Sequence, residues 1–178
     1  AISDKALAAY KNSKLPKSYF DWGQMLENNK DGFYPYTPAV NLLYGLNESI
    51  NMLLEEGLEN VFARHKRHAE ATRLAVEAWG LEILAKNPIE RSDSITAILV
   101  PEGYDADNLR KIIYDNYDMS LGTGLNKIKG KVFRIGHMGD FNDLMLSGTL
   151  AGVEMGLKQS GIPFKPGGIM AALNFLSK

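Results

Sequence analysis

The stretch Lys131-Val132-Phe133-Arg134-Ile135-Gly136-His137-Met138-Gly139-Asp140-Phe141-Asn142-Asp143 reads as a buried strand, a glycine turn and a helix start. Val132, Phe133 and Ile135 supply a β-favouring apolar run. Gly136 and Gly139 mark the turn. Asp140 is an N-cap candidate, with Asp143 three residues on in the capping-box position. One charge, Arg134, interrupts the apolar run. A guanidinium in such a strand needs something planar and anionic to meet it. That is either an internal carboxylate or the carboxylate of a bound substrate. The stretch alone favours the internal pair.

Around it lies a chain of 178 residues, 45% of them apolar, with a net charge of −1. That is a globular composition, long enough for one core or a core plus an extension. Interspersed acids and bases argue against a nucleic-acid surface or a polybasic membrane patch. With no cysteine, disulfides, thiolate metal sites and a cysteine nucleophile are excluded. No apolar run approaches the roughly 20 residues of a membrane span. A cytoplasmic location is compatible with all of this. The sequence opens on Ala1-Ile2-Ser3 rather than on a methionine, and a preceding segment is expected.

From the start, residues 1–10 read as a strand end and a helix capped by Ser3 or Asp4. An aromatic run with Tyr19, Phe20 and Trp22 forms a short helix over 18–26, and residues 27–32 read as a polar turn. Phe33-Tyr34-Pro35-Tyr36-Thr37-Pro38 is kept extended by its two prolines. Its hydroxyls either pack or present themselves to a phosphate. A helix begins near Pro38, with Leu42, Leu43, Leu46, Ile50, Leu53 and Leu54 at three- and four-residue spacing. Gly57 either splits or only weakens the helical region that continues to Gly80, a natural C-terminal stop. Strands follow at 81–84 and 94–101, a helix capped by Asp105, a short strand at 119–121, a glycine-bearing loop at 122–130, and then the opening strand. Helices over 140–158 and 169–176 close the chain. The fold class is therefore α+β, a small antiparallel or mixed sheet with helices packed on it. It divides as 1–40, part of something larger; 41–80, a long connecting helical region; and 81–178, a small α/β domain.

Several motifs fail. The loop at 124–131 misses the phosphate-loop spacing, with Val132 after its lysine. Gly122-Thr123-Gly124 lacks the third glycine of the dinucleotide fingerprint. His65 and His68 are three apart on a helix without a third metal ligand. His137 reads as a turn or interface residue, and no serine triad is suggested.

Taken together, four stretches resemble one family. They are Ile2-Ser3-Asp4-Lys5-Ala6, the run from Tyr34-Pro35-Tyr36-Thr37-Pro38 to Leu46-Asn47-Glu48-Ser49, Glu56-Gly57-Leu58-Glu59-Asn60 with Arg64-His65, and Phe133-Arg134-Ile135-Gly136-His137-Met138-Gly139. Pro101-Glu102-Gly103-Tyr104-Asp105 fits as well. The chain resembles the C-terminal half of the serine–glyoxylate and alanine–glyoxylate aminotransferases, class V pyridoxal 5'-phosphate enzymes of fold type I. The resemblance implies that Arg134 receives the substrate α-carboxylate, reversing the preference drawn from the strand alone. It implies that Tyr34 and Thr37 reach the cofactor phosphate from the neighbouring subunit of a homodimer. Residues 1–40 are then the tail of the large cofactor-binding domain.

The implied substrates are an amino acid, serine or alanine, and a 2-oxo acid, glyoxylate or another. A different donor within the class, an aminophosphonate or a ureido amino acid, is the alternative. A dimerisation or ligand-binding module without catalysis is a rival from another class. The departure is equally specific. The family's Schiff-base lysine falls before the position matching Ala1, and no lysine here stands in the matching context. The chain alone is expected to be inactive.

Overall fold

The computed structural model describes residues 2–178, so the strand end expected at Ala1 lies outside the described residues. The chain forms two compact units that divide between Glu55 and Glu56.

In the first unit, Ser3 caps α1 (Asp4–Lys11) by accepting from the Ala6 N–H. Asp21 caps α2 (Trp22–Lys30), accepting from the Gly23 and Gln24 N–H groups at 2.8 and 3.2 Å. The Tyr10 hydroxyl donates to the same carboxylate at 2.5 Å, and the Tyr10 ring stacks on Trp22. Residues 27–30 are therefore helical, where a turn was expected. The cap at Asp21 starts the helix late, and its last turn runs through these polar residues to Asp31-Gly32. After the proline segment comes α3 (Val40–Glu56), and none of these three helices has a buried residue.

Gly57, at φ +83°, ends α3 and precedes α4 (Leu58–Trp79). A residue with positive φ cannot continue a right-handed helix, and glycine takes it without a Cβ penalty. The helical region is therefore split. Gly80 ends α4 in the left-handed conformation, its N–H bonded to the Glu77 and Val76 carbonyls, as a C-terminal glycine should.

The second unit continues with β1 (Glu82–Ile83), β2 (Ile95–Leu99), α5 (Ala106–Tyr117), β3 (Gly122–Thr123), β4 (Val132–Gly136), α6 (Asp143–Ser160) and α7 (Gly168–Leu176). The sheet is antiparallel throughout, in the order β1-β2-β4-β3. The α+β class and the element order follow the sequence reading. In β2, Thr96 and Ile98 are buried while Ile95, Ala97 and Leu99 are half-exposed. Strand period two thus assigns one face to the core and one to the outside. The core face carries Ile98, Phe133 and Ile135 against Val76, Trp79, Leu109, Ile113, Leu150 and Leu157. Burying each large apolar side chain contributes about 1.5–3 kcal/mol.

Two boundaries move. The short strand expected at 119–121 lies at Gly122–Thr123, because the Leu121 carbonyl accepts from Arg110 Nε instead of from a strand. The last long helix starts at Asp143, not Asp140. Gly139 turns at φ +83°, and Arg64 Nη1 donates to the carbonyls of Gly139 and Phe141. Asn142 is the first residue free to cap, and it accepts from the Leu144 and Met145 N–H groups at 3.0 and 2.9 Å.

Candidate functional site

Arg134 is the middle residue of β4, on the half-exposed face. Its cross-strand neighbours are Ala97 in β2 and Gly122 in β3. The small residue on the β3 side lets the long side chain lie close over the strand at Gly122. Among the described residues Arg134 has no ion pair, and its Nε is buried without a hydrogen-bond partner. The internal pair that the strand alone favoured is not formed. An unpaired buried donor costs about 1–3 kcal/mol.

Beneath this position, α5 fixes β3. The Thr123 hydroxyl donates to Asp107 Oδ1 at 2.8 Å, and Arg110 donates to the same carboxylate from Nη1 at 2.9 Å. Arg110 Nε donates to the Leu121 carbonyl at 2.8 Å. The Thr123 hydroxyl and Arg110 hold the Asp107 carboxyl below its usual range, against the opposing effect of burial.

The turn after β4 is fastened to α4. Arg64 donates bidentately to Glu56 at 2.7 Å from Nε and from Nη2, and reaches the Gly139 carbonyl at 2.7 Å from Nη1. His65 Nε2 accepts from the Gly139 N–H at 3.1 Å, which assigns the proton to Nδ1, 2.7 Å from the Val61 carbonyl. His68 is buried, with Nε2 2.9 Å from Asp143, which also takes Arg67 at 2.6 Å. His137 is buried too, between the Thr96 hydroxyl at 2.9 Å and the Asp93 carbonyl at 3.2 Å, and burial lowers its pKa to about 4. All three histidines have structural partners. The clamp by Arg64 and His65 escaped the residue-level reading, because partners more than 70 residues apart leave no local signal. Gly122 escaped too: it reads as the start of a loop, and only the shifted ladder pairs it with Arg134.

Tyr34 and Thr37 lie in the first unit, on the extended segment before α3. Tyr34 is 57% exposed. Among the described residues neither hydroxyl has a hydrogen-bond partner. With Tyr19, Met25, Leu42 and Leu46 they line a shallow groove of about 420 Å³. Free hydroxyls on a proline-stiffened segment fit the acceptor oxygens of a phosphate group.

Among solved structures, the chain superposes on pyridoxamine–pyruvate aminotransferase from Mesorhizobium loti with a TM-score of 0.86 and 32% identity, over 99% of this chain and 46% of that one. The fold is that of an aminotransferase domain. No family model matches, but curated relatives do. Serine–glyoxylate aminotransferase of Methylorubrum extorquens is 50% identical over 98% of this chain and 45% of its own length. L-aspartate–glyoxylate aminotransferase of Paracoccus denitrificans is 46% identical over 96% and 43%. Throughout its length the chain is similar to class V aminotransferases, and it spans about half the length of the curated relatives it matches.

Proposed function

We propose that this chain is part of a pyridoxal-phosphate-dependent transaminase that moves an amino group from serine or alanine to glyoxylate or another 2-oxo acid. The observation that carries the reading is the Arg134 guanidinium, held in a strand with no internal anion. Glyoxylate appears in the names of both relatives described above, while their donors differ. The donor is thus the less constrained half of the assignment.

In this reading Arg134 binds the α-carboxylate of each substrate in turn through charge-assisted hydrogen bonds. Fixing the carboxylate orients the substrate and removes rotational freedom from the reacting end. Tyr34 and Thr37 would hold the cofactor phosphate across a homodimer interface, which makes pairing of protomers part of catalysis. Pyridoxal phosphate, when bound, supplies the electron sink that makes the α-proton removable. No lysine of this chain stands where the family anchors the cofactor, so the 178 residues alone are proposed to be inactive.

Two experiments test this. In the full-length enzyme, Arg134→Ala should raise KM for amino acid and oxo acid together, at a loss of about 2–4 kcal/mol. Unchanged kinetics would remove the assignment. Borohydride treatment of this chain with pyridoxal phosphate, followed by peptide mass mapping, should give no site-specific adduct. Stoichiometric labelling of one lysine would place the anchor inside the chain and overturn the proposed division of roles.

A further inference from the structure

Arg134 can present a carboxylate with either of two forks, the side one between Nε and Nη2 or the end one between Nη1 and Nη2. The difference matters, because the two forks lie at different angles and place the rest of a substrate differently. The surroundings of the side chain select between them.

Gly122 faces Arg134 across the β3–β4 ladder. A Cβ built at Gly122 would lie 3.0 Å from Arg134 Cβ, 3.0 Å from Nε and 3.4 Å from Cζ. The bare glycine backbone is thus packed directly against the guanidinium stem. Nε has almost no accessible surface and no partner. An atom that water cannot touch cannot be reached by a carboxylate oxygen of similar size. Only the outer nitrogens remain for a ligand.

The strand carrying Gly122 is also held in place. On its N-terminal side, the Leu121 carbonyl accepts from Arg110 Nε; on its C-terminal side, the Thr123 hydroxyl donates to Asp107, itself bound to Arg110. The Gly124 N–H donates to the Val132 carbonyl at 3.0 Å. Gly122 therefore sits between anchored neighbours. Any atom added to it must be accommodated by the Arg134 side chain, which has no partner of its own to hold it.

We propose that Gly122, anchored through Asp107 and Arg110, is a positioning residue that seals Arg134 Nε and presents the Nη1–Nη2 fork end-on to the substrate carboxylate. The assignment rests on Arg134 receiving that carboxylate, as proposed above. It predicts that the clamp accepts a terminal carboxylate in the plane of that fork, and that its alignment is set by the absence of a single methyl group on β3.

The test uses the full-length enzyme with four variants: Gly122→Ala, Arg134→Lys, the two combined, and Thr123→Val. Thermal melting first establishes that each folds. Gly122→Ala should raise KM for donor and acceptor about tenfold, the scale expected for a sub-ångström misplacement, with kcat changed less than threefold. In the Arg134→Lys background, where no fork exists, the same substitution should change KM less than twofold. Thr123→Val, which loosens β3 without adding bulk beside the guanidinium, should raise both KM values two- to threefold, and it keeps the question decidable if Gly122→Ala does not fold. Equal effects of Gly122→Ala with and without Arg134, or unaltered KM in Gly122→Ala, would overturn the inference while leaving the carboxylate role intact. Unchanged KM in Arg134→Lys would remove that role, and the inference with it.

Discussion

Replacing Glu154 by alanine should destabilise the second unit by about 2–4 kcal/mol. Helix α7 begins at Gly167-Gly168, which offer no side chain to cap it. The cap comes from α6: Glu154 Oε1 accepts from the Gly167 N–H at 3.1 Å, and Oε2 accepts from the Ile169 N–H at 3.1 Å and from Trp79 Nε1 at 2.7 Å. Losing a helix cap costs about 0.5–2 kcal/mol. The indole N–H belongs to a ring that is 1% exposed, and leaving a buried donor unpaired costs about 1–3 kcal/mol. Water reaching the helix end offsets part of the sum. Glu154→Gln keeps one acceptor but turns an NH₂ toward a donor, and should cost about 1–2 kcal/mol. Urea unfolding, followed by circular dichroism and by the fluorescence of Trp79, reads both. Burial pushes the Glu154 carboxyl up, but the hydrogen bonds from Trp79, Gly167 and Ile169 outweigh it and leave its pKa below the ordinary range. Its contribution is therefore complete above the unfolded value of about 4.3 and is lost as pH falls through the lower folded value. The gap between wild type and Glu154→Gln should be level above pH ~5 and shrink below it. A Glu154→Ala protein within 0.5 kcal/mol of wild type (about the scatter of neutral surface changes) would refute the capping argument.

His137 titrates at lower pH than an exposed histidine: folded, it stays neutral down to about 4 because burial disfavours its charged form, whereas unfolded it protonates near 6.5. The unfolded chain binds the extra proton between these values, so stability is full above pH ~6.5 and declines as pH falls toward 4; His137→Gln should give a flatter urea midpoint across that window. Gly168→Ala puts a Cβ 2.2 Å from Trp79 Nε1 and should cost at least about 1–3 kcal/mol of overpacking. Gly148→Ala, at an exposed α6 position with nothing within 4 Å, should instead stabilise by about 0.5–1 kcal/mol, and equal signs for the two variants in thermal melting would undo the packing argument.

Period and punctuation made the second unit legible. The apolar run within residues 94–101 marks β2, Asp105 caps α5 by accepting from the Asp107 N–H, and Gly80 stops α4. What escaped was decided by distant partners. Asp140 and Asn142 are both good caps by composition, and only Arg64, from another helix, selects between them. Met119 and Leu121 have strand-like character, but a side chain from α5 takes the Leu121 carbonyl and shifts the ladder onward to glycine. In the first unit, the polar sequence of residues 27–30 read as a turn because its cap, Asp21, lay inside an aromatic run.

The same division explains why Arg134 was ambiguous. The strand alone favours an internal carboxylate, but it holds no information about where the distant acids lie. The structure shows what one acid beside this ladder does instead. Asp107 does reach β3, but through Thr123, whose neighbour Gly122 is the residue paired with Arg134. Side chains of successive strand residues point to opposite faces, so Asp107 approaches from the helix-covered side while Arg134 lies on the other. Asp107 is already engaged by the Thr123 hydroxyl and Arg110. The sheet therefore separates the guanidinium from the acid that could have neutralised it, and uses that acid to anchor the strand against which the guanidinium rests. An arrangement built only for stability would gain by letting the two meet, since the orphaned Nε is a standing cost. Keeping them on opposite faces is the arrangement that a carboxylate-binding arginine requires.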